Sequence, residues 1–510
     1  MAVLNLAPGL PEYQWWPVYF EPGDPGAITV RNATTFKWTN PDGSVVTLKG
    51  TGFTYVDGVP TGGTVNSITV EESDGTDLIT ATQVGGDLPT LFDFAFGFGV
   101  PNQGGQEANG YNFMSALLRG NDTINGTDGS DDIAAGTNSG NDVINANGGN
   151  DYIKGDDGQD TINGGSGDDF LTYSQSFYEP SAFKGITVNL GAGTVADCWG
   201  YVDSFTGIEQ FQGSKFADLF IGNNGNNFFS GLRGNDTFNG SGGFDEIGYS
   251  NDAQYGGKRG IVVDLAAGTV RDGFGNTDTL NKIESVIGTA VADSFKGGSL
   301  DDQFLGGGGV DTYNGGGGTD GVNFSFTGGD TGAVVNLGLT TGQVLNDGYG
   351  NIETLISIER IDGNELNDRF TGNALANELI GDRGNDTMTG KEGNDFLQGD
   401  AGADLLTGGI GADEFHYSKR EGNDPWGDTI TDFTSGQDFI SIITGDFAGM
   451  TDVLQFRNGT SAGGTGSWFF FNAANDGLFW DADGTGSGAA VRVATMTGVN
   501  SLSAADINLF

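Results

Sequence analysis

The sequence predicts an all-β protein, chiefly a parallel β-roll in four runs with intervening β-hairpin and coil spacers, preceded by a small β domain. Three observations carry this. A nine-residue unit, cleanest as Gly164-Gly165-Ser166-Gly167-Asp168-Asp169-Phe170-Leu171-Thr172, recurs twenty times with Gly, Asp and an apolar residue in phase. A longer period ties the runs together, because Phe205, Leu280 and Leu355 stand 75 residues apart, as do Glu209, Glu284 and Glu359. Residues 1 to about 116 lack the unit and alternate apolar with polar positions.

Each unit reads as a turn followed by a strand. Glycine at positions one, two and four permits positive φ and close backbone approach where a β-carbon would clash. The last three residues extend, with the position-eight side chain pointing inward: Ile124, Ile133, Ile144, Ile153, Ile162 and Leu171 in the first run, Phe220, Phe229, Phe238 and Ile247 in the second. Two units complete a coil, so unit i stacks on unit i+2 at the strand spacing of about 4.8 Å. A disordered Gly/Asp tract has no reason to hold that phase.

Position six is acidic. The first run supplies Asp122, Asp131, Asp142, Asp151, Asp160 and Asp169, nine apart except for one eleven-residue step that holds Gly136-Thr137-Asn138. Asp218, Asn227, Asp236 and Asp245 follow in the second run, and Asp293, Asp302, Asp311 and Asp320 in the third. The fourth carries Asp368, Asn377, Asp386, Asp395, Asp404 and Asp413. Carboxylates stacked at strand spacing repel one another. Ca²⁺ takes about six to eight hard oxygen ligands and can bridge two Asp side chains plus turn carbonyls, whereas Mg²⁺ demands tighter octahedral geometry. One ion per stacked pair within a run gives roughly a dozen Ca²⁺. Asn227 and Asn377 keep an oxygen but lose a charge, which predicts weaker or shared sites.

Composition agrees with a roll that folds only with a cation. The chain has 68 acidic against 21 basic residues, a net charge of −47, and 93 glycines in 510 residues. Such self-repulsion opposes folding and argues against nucleic acid as a partner. The single cysteine, Cys198, excludes an internal disulfide framework. The amino terminus has no basic n-region and no long apolar h-region, so a cleaved secretory signal is not expected, and no apolar run suggests transmembrane insertion.

The spacers open with alternating strands, Ile186-Thr187-Val188-Asn189-Leu190, Ile261-Val262-Val263-Asp264-Leu265 and Ala333-Val334-Val335-Asn336-Leu337, and read as hairpins and extra coils that continue or cap each roll. An aromatic followed by Ser comes after the last Asp of each run, at Tyr173-Ser174, Tyr249-Ser250, Phe324-Ser325 and Tyr417-Ser418. It reads as a plug closing the open end of a core. The resulting segments are 1–116, an N-terminal β domain; 117–174, the first run; 175–250, 251–325 and 326–418, each a spacer plus a run; and 419–510, a C-terminal β domain. Within the first, Asn40-Pro41-Asp42-Gly43 reads as a hairpin turn and Phe92, Phe94, Phe96 and Phe98 as one strand face. Trp15, Trp16, Tyr19 and Phe20 suit core packing or a sugar-stacking platform. Asp481-Ala482-Asp483-Gly484-Thr485-Gly486 alternates oxygen ligands as calcium loops do but lacks a bidentate Glu, so a plain turn is the other reading.

On these repeats the chain resembles the RTX, or haemolysin-type calcium-binding, proteins that Gram-negative bacteria export by type I secretion. The segment running from Gly411-Ala412-Asp413-Glu414-Phe415 through Asp428-Thr429-Ile430, Asp432-Phe433 and Gly436-Gln437-Asp438 resembles the C-terminal domain of serralysin-type proteases. The resemblance implies that the position-six residues, with carbonyls of their turns, are the calcium ligands. It also implies an uncleaved C-terminal export signal, ending here Ser503-Ala504-Ala505-Asp506-Ile507-Asn508-Leu509-Phe510, and type I secretion machinery as a partner.

Departures from enzymatic relatives shape the functional expectation. The only histidine is His416, at position nine of the last repeat, so no zinc-binding H-E-x-x-H helix exists, and a G-x-S-x-G elbow working with a histidine partner is not expected either. His416 is expected to face solvent or its own turn. The expectation is a secreted, non-enzymatic calcium-binding protein of the cell surface or matrix, adhesin-like or surface-layer-like, meeting cell-surface polysaccharide or its own copies. The alternative is a secreted polysaccharide-active enzyme or glycan-binding protein that uses the N-terminal domain.

Overall fold

The computed structural model describes residues 3–6, 27–32, 34–39, 45–56, 59–71, 77–87, 121–134, 140–325, 329–418, 427–443 and 454–510. The aromatics at 15–20, the turn at 40–43, the phenylalanines at 92–98 and the step at 136–138 lie outside the described residues. Two compact units divide the chain, residues 1–246 and 247–510. Among the described residues helix is confined to short 3₁₀ turns such as Ser174–Phe177, and no helix is long and apolar enough to cross a membrane.

In the first unit, Ala27–Arg31, Thr35–Thr39, Val45–Val56, Val59–Glu71 and Asp77–Asp87 form an antiparallel meander, each strand pairing with the next. Alternation buries Val46, Leu48, Val65 and Ile68 on one face. Val3–Leu6 joins this sheet to the repeats, pairing antiparallel with Asp77–Asp87 and parallel with Thr123–Asn125.

From there the nonapeptides coil as their period requires. Thr123–Asn125, Val143–Gly148 and Thr161–Ser166 stack in parallel on one side, and Asp132–Ala134, Tyr152–Lys154 and Phe170–Thr172 on the other. Ile124 thus lies on Ile144 and Ile133 on Ile153, two units apart. All the position-eight residues from Ile124 to Leu171 are buried. In the second run the core becomes aromatic: Phe220 stacks on Phe238 with ring centroids 4.9 Å apart and planes 6° from parallel. A buried ring of this size contributes about 1.5–3 kcal/mol through the apolar surface it removes from water.

The spacers continue the roll. Thr187–Asn189, Thr194–Ala196 and Val202–Thr206 form an antiparallel step within one ladder, joining Thr161–Ser166 to Leu219–Ile221. On the opposite side Gln210–Gln212 bridges Phe170–Thr172 and Phe228–Ser230, setting Phe211 between Leu171 and Phe229. The second unit repeats the scheme, with Arg360–Asp362 bridging Gly321–Asn323 and Glu378–Ile380. Its last strands extend both ladders: Asp428–Ile430 pairs with Leu405–Ile410, Phe439–Ile442 with Glu414–Tyr417, and Ile507–Leu509 with Phe439–Ile442.

This continuity corrects the expectation of aromatic plugs. Tyr173, Tyr249, Phe324 and Tyr417 are buried as expected, yet the coil does not end at them. The main-chain N–H groups of Tyr173, Tyr249 and Phe324 donate to Gln212, Ile287 and Asp362, each on the next coil. The aromatic fills the interior where the chain departs for its hairpin and returns.

Candidate metal centres

The position-six carboxylates link coil to coil. Through Oδ1, Asp142 accepts the main-chain N–H of Asp122 (2.7 Å), Asp151 that of Asp131 (2.8 Å), Asp160 that of Asp142 (2.7 Å) and Asp169 that of Asp151 (2.9 Å). The same bond joins Asp218 to Asp236, Asn227 to Asp245, Asp293 to Asp311 and Asp302 to Asp320. In the last run it joins Asp368 to Asp386, Asn377 to Asp395, Asp386 to Asp404 and Asp395 to Asp413. One oxygen of each such acid therefore satisfies a buried backbone donor, a need that no strand ladder would meet at the turn.

The second oxygen divides the turns into two kinds. In the turns that open a run, the position-two N–H bonds back to it: Thr127 to Asp131, Ser214 to Asp218, Thr289 to Asp293, Gly298 to Asp302 and Asn364 to Asp368, at 2.5–2.9 Å. Asn227 and Asn377 sit in turns of this kind, their side-chain oxygens accepting from Asn223 and Asn373. In most later turns, that of Asp160 excepted, position two is left-handed, with φ of 81° at Asn147, 70° at Asp382, 91° at Lys391 and 59° at Asp400. There Oδ2 of Asp151, Asp169, Asp320, Asp386, Asp395, Asp404 and Asp413 is buried with no hydrogen-bond donor.

Left alone, such oxygens are costly. Burial, then the carboxylates of the adjacent coils, pushes Asp142 and Asp151 up to about 7 and Asp386 up to about 9. A divalent cation would reverse that shift. The glycine at position one makes room: a β-carbon on Gly164, Gly381 or Gly390 would press on Oδ2 of its own turn's Asp. Among the described residues no three acidic, histidine or cysteine side chains converge on one point. An ion at these turns must therefore take most of its oxygens from turn carbonyls, as a hard cation of flexible coordination can.

Sequence reasoning missed the acids that continue the column past the first, third and fourth runs. Asp160 donates its N–H to Asp203 Oδ1 (2.9 Å) and Asp169 to Glu209 Oε2 (3.0 Å); Asp320 donates to Glu359 Oε2 (3.1 Å). Asp404 and Asp413 donate to Asp428 (3.0 Å) and Asp438 (3.1 Å). The 75-residue recurrence of Glu209, Glu284 and Glu359 was the available signal. His416 does not simply face solvent: its ring centroid lies 5.0 Å from that of Phe396, and Nδ1 is 3.7 Å from Glu414. The 481–486 segment is a turn held by its own carboxylates, Asp481 accepting from Gly484 (2.8 Å) and Asp483 from Gly488 (2.9 Å).

These features define a class: a parallel β-roll cross-braced by acidic side chains whose second oxygens suit a cation. The family model of the RTX calcium-binding nonapeptide repeat (4 copies) matches residues 118–137, 136–171, 212–247, 287–322, 362–397 and 389–417. Over these residues the chain carries RTX-type calcium-binding repeats. No curated protein matches it. The spacers at 172–211, 248–286 and 323–361 lie between the matches, although their strands occupy the same ladders.

Proposed function

We propose that this protein is a secreted, non-enzymatic structural component of the cell surface or extracellular matrix, folded by extracellular calcium after export through type I machinery. The row of buried, donorless Oδ2 atoms carries this reading, since ion pairs such as Lys154 with Asp132 and Arg360 with Asp362 engage other acids. At the low calcium of a cytosol the polyanion stays open and can thread an export channel. Outside, calcium at about 10⁻³ M adds its binding free energy to folding. The position-six acids are the side-chain ligands. The ions belong chiefly at the left-handed turns, ten among the described residues, which gives about ten ions. The non-enzymatic reading is supported by the packing of the one histidine, His416, against Phe396.

Circular dichroism of the purified full chain tests this. Stripped of calcium, the protein is expected to lose most of its β signal and to regain it on addition of millimolar CaCl₂. A folded spectrum in the calcium-free protein would sink the proposal.

A further inference from the structure

Outside the nonapeptide pattern, the third spacer buries a carboxyl that no donor meets in full hydrogen-bond geometry. Glu353 is 1% exposed, and neither Oε1 nor Oε2 has a hydrogen-bond partner. It directly precedes Thr354, which pairs with Thr312, the residue directly after Asp311. Glu353 and Asp311 therefore stand side by side on neighbouring strands. Asp311 is itself fully buried, with Oδ1 taken by the N–H of Asp293 (2.7 Å) and Oδ2 3.5 Å from the Tyr313 hydroxyl.

The corresponding acid two 75-residue periods earlier shows what Glu353 lacks. Asp203 has both oxygens satisfied, Oδ1 by the N–H of Asp160 (2.9 Å) and Oδ2 by the Tyr173 hydroxyl (2.6 Å). Glu353 carries one more methylene and faces the main-chain N–H and the carboxyl of Asp311, with neither Oε1 nor Oε2 at full hydrogen-bond geometry with a donor. A buried charge without donors is retained only where another charge meets it.

We infer that Glu353 and Asp311 close around a divalent cation, Ca²⁺ under extracellular conditions, at a site in which only Asp311 belongs to the nonapeptide and Glu353 comes from the spacer. Two carboxyls match the charge of the ion, and carbonyl and water oxygens complete its shell. The acid of the spacer thereby fastens the returning strand to the run it left. This rests on the calcium-driven folding proposed above.

The test is the number of calcium ions on the full chain, counted by native mass spectrometry for wild type and Glu353→Gln. The variant is expected to hold one ion fewer while keeping its β spectrum in calcium; an unchanged count overturns the inference. Should the variant fail to fold, anomalous density from Tb³⁺-loaded wild-type crystals decides. A peak between Glu353 and Asp311 supports the site, and peaks at the turns with none there overturn it. A wild-type chain that binds no calcium at all would overturn the broader reading of the roll instead.

Discussion

Asp386 accepts the main-chain N–H of Asp368 through Oδ1 at 2.7 Å, while its Oδ2 lies buried without a donor. The two oxygens of one side chain thus do different work, one holding the preceding coil and the other waiting for a cation. Asp386→Asn keeps the acceptor and removes the charge. It should stabilise the metal-free protein yet raise the calcium concentration needed for folding, roughly tenfold, as a lost ligand charge weakens such sites. Asp386→Ala also strands the Asp368 N–H and should cost about 1–3 kcal/mol more in saturating calcium. The calcium midpoint of the β signal and urea unfolding in saturating calcium check both, and an Asn variant that folds at the wild-type calcium concentration would refute the division of labour.

Protons should substitute for calcium in part. Burial and neighbouring carboxylates raise Asp142, Asp151 and Asp160 to about 7 and Asp386 to about 9 in the folded, metal-free state. The unfolded values are near 3.9. A carboxyl raised on folding favours the folded state while protonated. That contribution is fully present below about pH 4 and is lost as pH rises through about 7 and then 9. Calcium-stripped protein should therefore gain β signal on going from pH 8 to pH 5. Calcium affinity should fall over the same interval, because binding displaces protons. Metal-free stability that rises with pH would contradict this.

The nine-residue period made the coils, their inward residues and the acid column legible, because each depends on neighbours within one or two units. What the period could not reveal depends on chain-distant contacts. Tyr173 read as a plug because its partner, Asp203, lies 30 residues away across a hairpin. Phe211 and Glu209 complete a coil without the Gly-rich turn that marks the others. The two kinds of turn were equally hidden, since position two is left-handed at Asn147 and Lys391 without glycine, a backbone state imposed by stacking rather than by local propensity.

Two adjacent residues should answer substitution with opposite signs. Gly390 has no room for a β-carbon beside Asp395 Oδ2, so Gly390→Ala should push that oxygen away and weaken calcium-dependent folding. Lys391 is exposed and held at φ 91°, and Lys391→Gly should relieve the strain for a net gain of about 0.5–1 kcal/mol. Thermal midpoints in saturating calcium distinguish the two. Equal destabilisation by both would mean that the turn tolerates neither change and that strain at position two is not what limits it.

Tyr173 lies fully buried and donates its hydroxyl to Asp203 Oδ2 at 2.6 Å. Burial pushes the Asp203 carboxyl up to about 8, and the tyrosine bond works against that rise. Tyr173→Phe preserves the ring and removes the donor, leaving a buried carboxyl oxygen unsatisfied at a cost of about 1–3 kcal/mol. The expected result is a lower thermal midpoint in saturating calcium, whereas Tyr178→Phe, at a residue 75% exposed, should leave it unchanged. If Tyr173→Phe matches wild type, the tyrosine serves only as apolar filling, as Phe324 does after the third run, and the hydroxyl bond contributes nothing to closing the first spacer onto its run.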